Sequence, residues 1–146
     1  MGKWRGREGM RPGGLGSAVA RHGDVVVAAL MAVNAVGELR PAGSPLAEPR
    51  LPAVPALVAE EGQATTIGLV VTNGRLDKAA CLRAAQSGHD GMARALDPVH
   101  TGGDGDAVVV AATGEVDASP EIVRALAGWV VERAIIDAVG EGSRRS

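Results

Sequence analysis

Two adjacent threonines, Thr65 and Thr66, stand at the start of a β-branched apolar run, directly after a segment rich in proline and alanine. Threonine is a weak nucleophile at its free pKa, but at a chain N-terminus its own α-amine can act as the base. That amine has an ordinary pKa of about 7.7–8.0, which suits proton transfer near neutral pH. We therefore interpret Thr65 as a latent nucleophile, released when its hydroxyl attacks the carbonyl of Ala64 and water hydrolyses the resulting ester. The alternative is that the pair reflects only the β-propensity of threonine.

Four further side chains have types that support such a nucleophile. Asn34 closes an apolar strand and can donate its amide to a developing oxyanion, or it can cap the strand end. Lys3 can lower the barrier through its positive charge, or it is a solvated lysine. Asp104 and Asp106 lie where a loop enters a strand. They can orient a nucleophile or base, or form a solvated turn. They can also bind a divalent cation, but together with His100 they do not complete a recognisable metal-binding loop.

Composition restricts how these residues can be positioned. The 146 residues are enough for one domain, and they are 46% hydrophobic but only 1% aromatic, with no Phe or Tyr. The core must therefore consist of Val, Ala, Leu and Ile, whose small side chains need close backbone packing. The 21 glycines are consistent with such packing.

Charge and cysteine content exclude other classes of function. The formal net charge is −2, and without a basic stripe or aromatic platform nucleic-acid binding is not expected. The single cysteine, Cys81, excludes an internal disulfide and fits a reducing compartment. No apolar run is long enough to span a membrane, and no signal peptide is recognisable, so the sequence predicts a cytoplasmic protein with no membrane partner.

The first half of the chain predicts a hairpin and then a long loop. Strands over 15–20 and 24–34 are joined through Gly23, which permits the conformation of a tight reversal. Because 25–33 is continuously apolar, we expect that strand to be covered on both faces. Residues 37–62 contain five prolines, and we predict an exposed, mobile loop that leads into Thr65.

The second half alternates strands and helices. Strands are predicted over 65–72 and 106–113, and the spacing over 76–96 predicts a helix. One face of that helix would carry Leu82, Ala85, His89, Met92 and Leu96. Ser119 and Pro120 predict the start of a second helix that runs to about Val139, with the serine hydroxyl as its cap. The order of elements predicts a layered α+β fold.

Several motifs, taken in order, resemble those of the L-aminopeptidase/D-amidase-esterase family, which includes the nylon-oligomer hydrolases. They are Gly2-Lys3-Trp4-Arg5-Gly6, the segments 13–18 and 26–37, Thr65-Thr66-Ile67-Gly68, 85–94 with His89-Asp90-Gly91, Pro98-Val99-His100-Thr101 and Asp104-Gly105-Asp106.

The resemblance implies a four-layer αββα fold of the N-terminal-nucleophile type, in which the precursor cleaves itself into two subunits and the new N-terminal Ser or Thr hydrolyses amide bonds. By motif position Thr65 would be the nucleophile, Lys3 the active-site lysine and Asn34 the amide that helps the oxyanion. Asp104 and Asp106 would be the acidic pair supporting the nucleophile. No metal or organic cofactor is implied. The substrate would be a small peptide or amide, and processed subunits would form homo-oligomers.

The resemblance also implies how the chain is divided. Residues 1–146 would form a single, partial hydrolase domain, with 1–64 as the end of the larger-subunit segment and 65–146 as the smaller-subunit segment. The strands and helices that precede this part in the family would be missing. A remnant that is inactive, or that folds only with a partner, is the alternative function. In addition, Ala64 stands where the nylon-hydrolase-like members usually have Asn. Alanine keeps the attacked carbonyl but loses positioning by the amide, which predicts slower cleavage or none.

Overall fold

The computed structural model of the chain describes residues 1–40 and 64–140. The strands are β1 (Gly14–His22), β2 (Val25–Val33), β3 (Glu38–Leu39), β4 (Ile67–Gly74), β5 (Leu96–Asp97) and β6 (Ala107–Val116). The helices are α1 (Lys78–Ala95) and α2 (Pro120–Val139). The predicted α+β class is confirmed, and the predicted elements follow one another in the expected order, with the short strands β3 and β5 as unpredicted additions. Most of the predicted mobile loop, from residue 41 onward, lies outside the described residues.

The predicted hairpin forms the first half of the main sheet. Strands β1 and β2 pair antiparallel from Gly14 opposite Val33 to His22 opposite Val25. Gly23, in the turn, has a φ of 57°, a left-handed conformation that glycine adopts without the steric penalty of a Cβ atom. The segment before the hairpin contains short 3-10 helices at Lys3–Arg5 and Arg7–Gly9.

The main sheet has the strand order β1-β2-β4-β6. Strand β4 is antiparallel to β2 and parallel to β6, and α1 makes the crossover between β4 and β6. Strands β3 and β5 form a separate two-stranded sheet. This topology places the beginning of β4 beside the end of β2 and the beginning of β6, so residues near 34, 65 and 105 meet at one end of the sheet.

The two helices cover one face of the main sheet, with α2 on β1 and β2 and α1 on β6. The prediction that β2 is covered on both faces is wrong for the described residues, because its side chains alternate between buried and accessible and Leu30 is 51% exposed. The uncovered face is apolar and carries Leu15, Val19, Leu30, Ile67, Leu69 and Val109. The described residues therefore contain one helical layer and one main sheet, as expected for part of the four-layer fold that the resemblance implies.

Helix α1 forms as predicted, but its buried stripe differs from the prediction. Asp77 caps its first turn, with the carboxylate accepting the Ala80 N–H at 2.7 Å. Leu82 is 61% exposed, and the buried stripe contains mainly small residues, namely Ala80, Ala84, Ser87, Gly88, Gly91, Met92 and Ala95. The physical reason is that α1 packs closely on α2, where only small side chains fit between the two backbones.

Helix α2 begins at Pro120, as predicted, and is buried along much of its length. Ser119 occupies the cap position, but its hydroxyl accepts no cap hydrogen bond, so that part of the prediction is wrong. The fixed φ of proline suits the first helical position without a side-chain cap. Neither α1 nor α2, the two α-helices of the described part, is long and apolar enough to cross a membrane.

Gly91→Ala should destabilise the fold, because a Cβ atom at this position would lie 2.2 Å from the backbone oxygen of Gly128 in α2. Such overpacking costs about 1–3 kcal/mol or more, which exceeds the gain of about 1 kcal/mol from replacing a helical glycine. Gly88→Ala is the matched control, since it makes the same gain and meets side chains rather than backbone, with methyl groups of Val108 at 2.9 Å and Val131 at 3.6 Å. Urea unfolding should give a clearly lower midpoint for Gly91→Ala alone. Equal midpoints would show that the two helices can separate without cost.

Candidate active site

Thr65 lies in the connection between β2 and β4. Its backbone N–H donates to the carbonyl oxygen of Asn34 at 3.0 Å. The preceding residue, Ala64, is buried and forms an isolated parallel bridge with Asp104. The Ala64–Thr65 peptide bond is therefore held from both sides, by the end of β2 and by the loop that enters β6.

Gly105 contacts both groups that would react. Its N–H donates to the carbonyl oxygen of Ala64 at 2.8 Å. A Cβ atom built on Gly105 would lie 3.0 Å from Thr65 Oγ1, so the threonine hydroxyl packs against this glycine. A backbone N–H directed at a carbonyl oxygen is the type of donor that stabilises negative charge during acyl transfer. The Thr65 hydroxyl and the polarised Ala64 carbonyl thus border the same residue.

Thr66 has a different environment from Thr65. It is fully buried, and its hydroxyl accepts the Asn34 N–H at a long 3.4 Å. Its carbonyl accepts the Ala107 N–H at 3.0 Å, which continues the pairing of β4 with β6 toward the site. Thr66 therefore serves the packing of the strand ends, whereas Thr65 is partly accessible.

Asp104 organises the loop between β5 and β6. One carboxylate oxygen accepts the Val36 N–H at 2.9 Å, and the other accepts the N–H and the hydroxyl of Thr101 at 3.0 and 2.7 Å. A carboxylate with three donors has most of its hydrogen-bonding capacity used. Asp104 thereby ties the segment after β2 to the segment before β6, and the described hydrogen bonds of its side chain do not include Thr65.

Asp106 holds the residue next to Thr65. Its Oδ1 accepts the Thr66 N–H at 2.9 Å, and its Oδ2 lies 2.8 Å from Nδ1 of His100. The Asp106 side chain is only 4% exposed, and the His100 side chain is 37% exposed. Charge-assisted hydrogen bonds of this length are stronger than those between neutral groups. Asp106 therefore positions the backbone that follows Thr65.

Asn34 and Lys3 are positioned at the site in different ways, Asn34 by direct contacts and Lys3 indirectly. Asn34 directly follows β2, contacts both threonines through its backbone, and has an exposed side chain. Lys3 lies in the first 3-10 helix, and its neighbours Gly2 and Trp4 donate backbone hydrogen bonds to the carbonyls of Gly37 and Val36 at 2.6 and 3.2 Å. The fold therefore gathers Asn34, Ala64, Thr65, Asp104 and Asp106 directly. Lys3 is connected to them through the segment 34–37.

Sequence reasoning missed two residues of this site. Gly105 was quoted only as part of a motif, although a glycine between two candidate carboxylates was a signal that a backbone approaches closely there. His100 was considered only as a weak metal ligand, and its place shortly before Asp104 and Asp106 was the available signal. Among the described residues, no group of three or more His, Cys, Asp or Glu is arranged to hold a metal ion.

Comparisons with known proteins identify relatives among the peptidases. The family model for peptidase family S58 matches residues 8–144. An uncharacterized aminopeptidase of Mycobacterium leprae is 36% identical over 130 residues, which covers 77% of this chain and 36% of the relative. An uncharacterized aminopeptidase of Mycobacterium tuberculosis is 49% identical over 57 residues, which covers 39% of this chain and 17% of the relative. The chain thus spans about a third or less of the length of these relatives.

Solved structures have the same fold over most of this chain. A β-aminopeptidase of a Burkholderia species superimposes with a TM-score of 0.65 at 23% identity, covering 90% of this chain and 44% of its own. The L-aminopeptidase D-Ala-esterase/amidase of Ochrobactrum anthropi gives a TM-score of 0.64 at 22% identity, covering 89% of this chain and 42% of its own. The latter is described as a new variant among Ntn hydrolase folds. The described part of the chain therefore has the fold of part of an Ntn hydrolase.

Proposed function

The chain belongs to peptidase family S58, and on this basis we propose that it is an amide-bond hydrolase of the aminopeptidase type whose nucleophile is Thr65. The nucleophile becomes active when the chain cuts itself between Ala64 and Thr65. The substrates are small peptides or related amides. The observation that carries this proposal is the Gly105 N–H on the Ala64 carbonyl, with the Thr65 hydroxyl packed against the same glycine.

Self-cleavage proceeds in two steps. Thr65 Oγ1 attacks the carbonyl carbon of Ala64, and the Gly105 N–H stabilises the charge that develops on the carbonyl oxygen. The C–N bond breaks, the hydroxyl proton is transferred to the departing nitrogen, and an ester joins Ala64 to Thr65. Water then hydrolyses the ester, which leaves a carboxylate on Ala64 and a free hydroxyl and α-amine on Thr65.

The free α-amine acts as the base in turnover. It accepts the Thr65 hydroxyl proton as the oxygen attacks the substrate carbonyl, and it returns the proton to the departing amine. Water then hydrolyses the acyl-enzyme ester. In the uncut chain the same nitrogen donates to the Asn34 carbonyl at 3.0 Å, a contact that supports a defined position for the amine after cleavage.

The other site residues have supporting roles in this proposal. Asn34 donates its side-chain amide to the oxyanion of the substrate, and Lys3 contributes positive charge. Asp104 and Asp106 hold the surrounding loops in place, which is supported by the hydrogen bonds of their carboxylates to Val36, Thr101 and Thr66. Positioning of this kind matters because a displacement of about 1 Å can cost about 100-fold in rate.

The two fragments stay together after cleavage in this proposal. Strand β2 belongs to 1–64 and β4 belongs to 65–146, and these two strands pair within the main sheet. Helix α2, in the second fragment, also packs on β1 and β2 of the first. In this proposal, the uncovered apolar face of the main sheet is also the surface through which pairs of processed fragments assemble into homo-oligomers.

The test is to incubate the purified full chain and follow it by intact mass spectrometry. We expect two co-eluting fragments, one of which begins Thr65-Thr66-Ile67, and hydrolysis of chromogenic aminoacyl amides that appears with the same time course. Hydrolysis by a chain that stays uncut would contradict activation at Thr65. A cut at another bond would reassign the nucleophile.

A further inference from the structure

A continuous series of contacts leads from helix α1 to the residue beside the proposed nucleophile. Nδ1 of His89 in α1 lies 3.3 Å from Nε2 of His100, and the two rings meet edge to face with centroids 4.8 Å apart. Nδ1 of His100 lies 2.8 Å from Asp106 Oδ2, and Asp106 Oδ1 accepts the Thr66 N–H at 2.9 Å. The His100 imidazole is therefore the only described side chain bonded to Oδ2 of Asp106.

The orientation of the Asp106 carboxylate depends on both of its partners. The terminal torsion of an aspartate is broad, so a single hydrogen bond leaves the group free to rotate. Thr66 N–H holds one oxygen and the His100 N–H holds the other, which determines both the position and the plane of the carboxylate. If the His100 side chain is removed, Oδ2 of Asp106 loses its described hydrogen-bond partner. Water replaces that partner poorly, because the Asp106 side chain is only 4% exposed.

The environment of His100 supports this role. Its backbone φ is 54°, in the left-handed region that few residues other than glycine occupy, although histidine, asparagine and aspartate are enriched there. The pKa of His89 is lowered, first by burial and then by its electrostatic interaction with His100, so His89 is mainly neutral at neutral pH. Because an ionised carboxylate only accepts hydrogen bonds, Nδ1 of His100 is the donor in the 2.8 Å contact with Asp106 Oδ2.

We propose that His100 is a positioning residue for activation at Thr65, because it fixes the Asp106 carboxylate that holds the Thr66 backbone. This inference rests on the proposed function. Thr66 directly follows Thr65 in the chain, so a shift of its amide moves the Thr65 hydroxyl relative to the Ala64 carbonyl. His100 does not touch the reacting atoms, and its effect is transmitted through Asp106.

The first test compares His100→Gly with His100→Asn. Both substitutes tolerate a left-handed backbone, so neither adds strain, but only asparagine keeps an N–H near the position of Nδ1. We expect the Thr65-initiated fragment to appear about tenfold more slowly in His100→Gly, which corresponds to the loss of one charge-assisted hydrogen bond. His100→Asn should recover most of the rate. Equal rates in the two variants would overturn the proposal.

The second test does not need catalysis and so separates this inference from the proposed function. In the Thr65→Val background, amide hydrogen exchange by NMR should show Thr66 losing protection in His100→Gly and keeping it in His100→Asn. The Ala107 amide, which donates to the Thr66 carbonyl at 3.0 Å, is the internal reference and should stay protected in both. If the chain never cuts itself, the proposed function fails, and this exchange result alone decides the role of His100. Unchanged Thr66 protection in His100→Gly would overturn it.

Discussion

Thr65→Val should leave the purified chain uncut after an incubation in which the wild-type chain is fully processed. Valine has nearly the shape of threonine but no hydroxyl, so it removes the attacking oxygen with little change in packing. The hydroxyl of the next residue, Thr66, is fully buried and accepts the Asn34 N–H at 3.4 Å. Intact mass spectrometry is the measurement. Thr65→Ser, which keeps a β-hydroxyl, should still be cut.

Thr66→Val is the matched control for that experiment. It removes the hydroxyl of the residue that follows Thr65. The described hydrogen bond that is lost is the one that this hydroxyl accepts from the Asn34 N–H at 3.4 Å. We expect cleavage to continue and the free energy of unfolding to fall by about 1 kcal/mol. If Thr66→Val blocks cleavage while Thr65→Val does not, the assignment of the nucleophile is wrong.

Gly105→Ala should slow self-cleavage by about tenfold to 100-fold while the chain remains folded. The new methyl group would lie 3.0 Å from Thr65 Oγ1, which is closer than an ordinary van der Waals contact, so the hydroxyl has to move. The Gly105 N–H, which donates to the Ala64 carbonyl at 2.8 Å, is still present in the variant. The substitution therefore displaces the nucleophile without removing the donor, and the rate of fragment appearance measures the effect.

Gly102→Ala is the control, because it adds the same methyl group to the same loop where no atom lies within 4 Å. It should be cut at the wild-type rate. Urea unfolding of both variants should give midpoints close to that of the wild type, which separates a local displacement from loss of structure. A Gly105→Ala chain that is cut as fast as Gly102→Ala would show that the contact between Gly105 and the Thr65 hydroxyl is unimportant for the reaction.

Local sequence patterns were sufficient to predict most of the helices and strands. The hairpin around Gly23 and the start of α2 at Pro120 were predicted correctly, because backbone permissiveness and fixed φ values act on their own residues. The exposed outer face of β2 and the buried stripe of α1 were predicted wrongly. Both depend on which element lies opposite, and Leu82 is exposed because α1 meets α2 through glycines and other small residues.

The candidate site was predictable in part. The sequence, with its resemblance to a family, nominated Thr65, Asn34, Lys3, Asp104 and Asp106, and the fold brings four of these five together directly. Their roles in catalysis stay predictions. Gly105 and His100 were not recognised as parts of the site. They act through contacts with Ala64, Thr65 and Asp106, which are distant in the chain or depend on the loop conformation. The spacing of apolar residues does not predict such contacts.

The sequence by itself determined the order and type of most of the elements, since these follow from patterns over a few neighbouring residues, and its resemblance to a family indicated the candidate junction between Ala64 and Thr65. Only the tertiary structure decided that the Thr66 hydroxyl is buried and that the Thr65 hydroxyl packs against Gly105. The physical reason is that the groups that distinguish the two threonines come from the end of β2 and the entry to β6. These segments are about thirty to forty residues away in the chain, and only the pairing of β4 with both strands brings them to the junction.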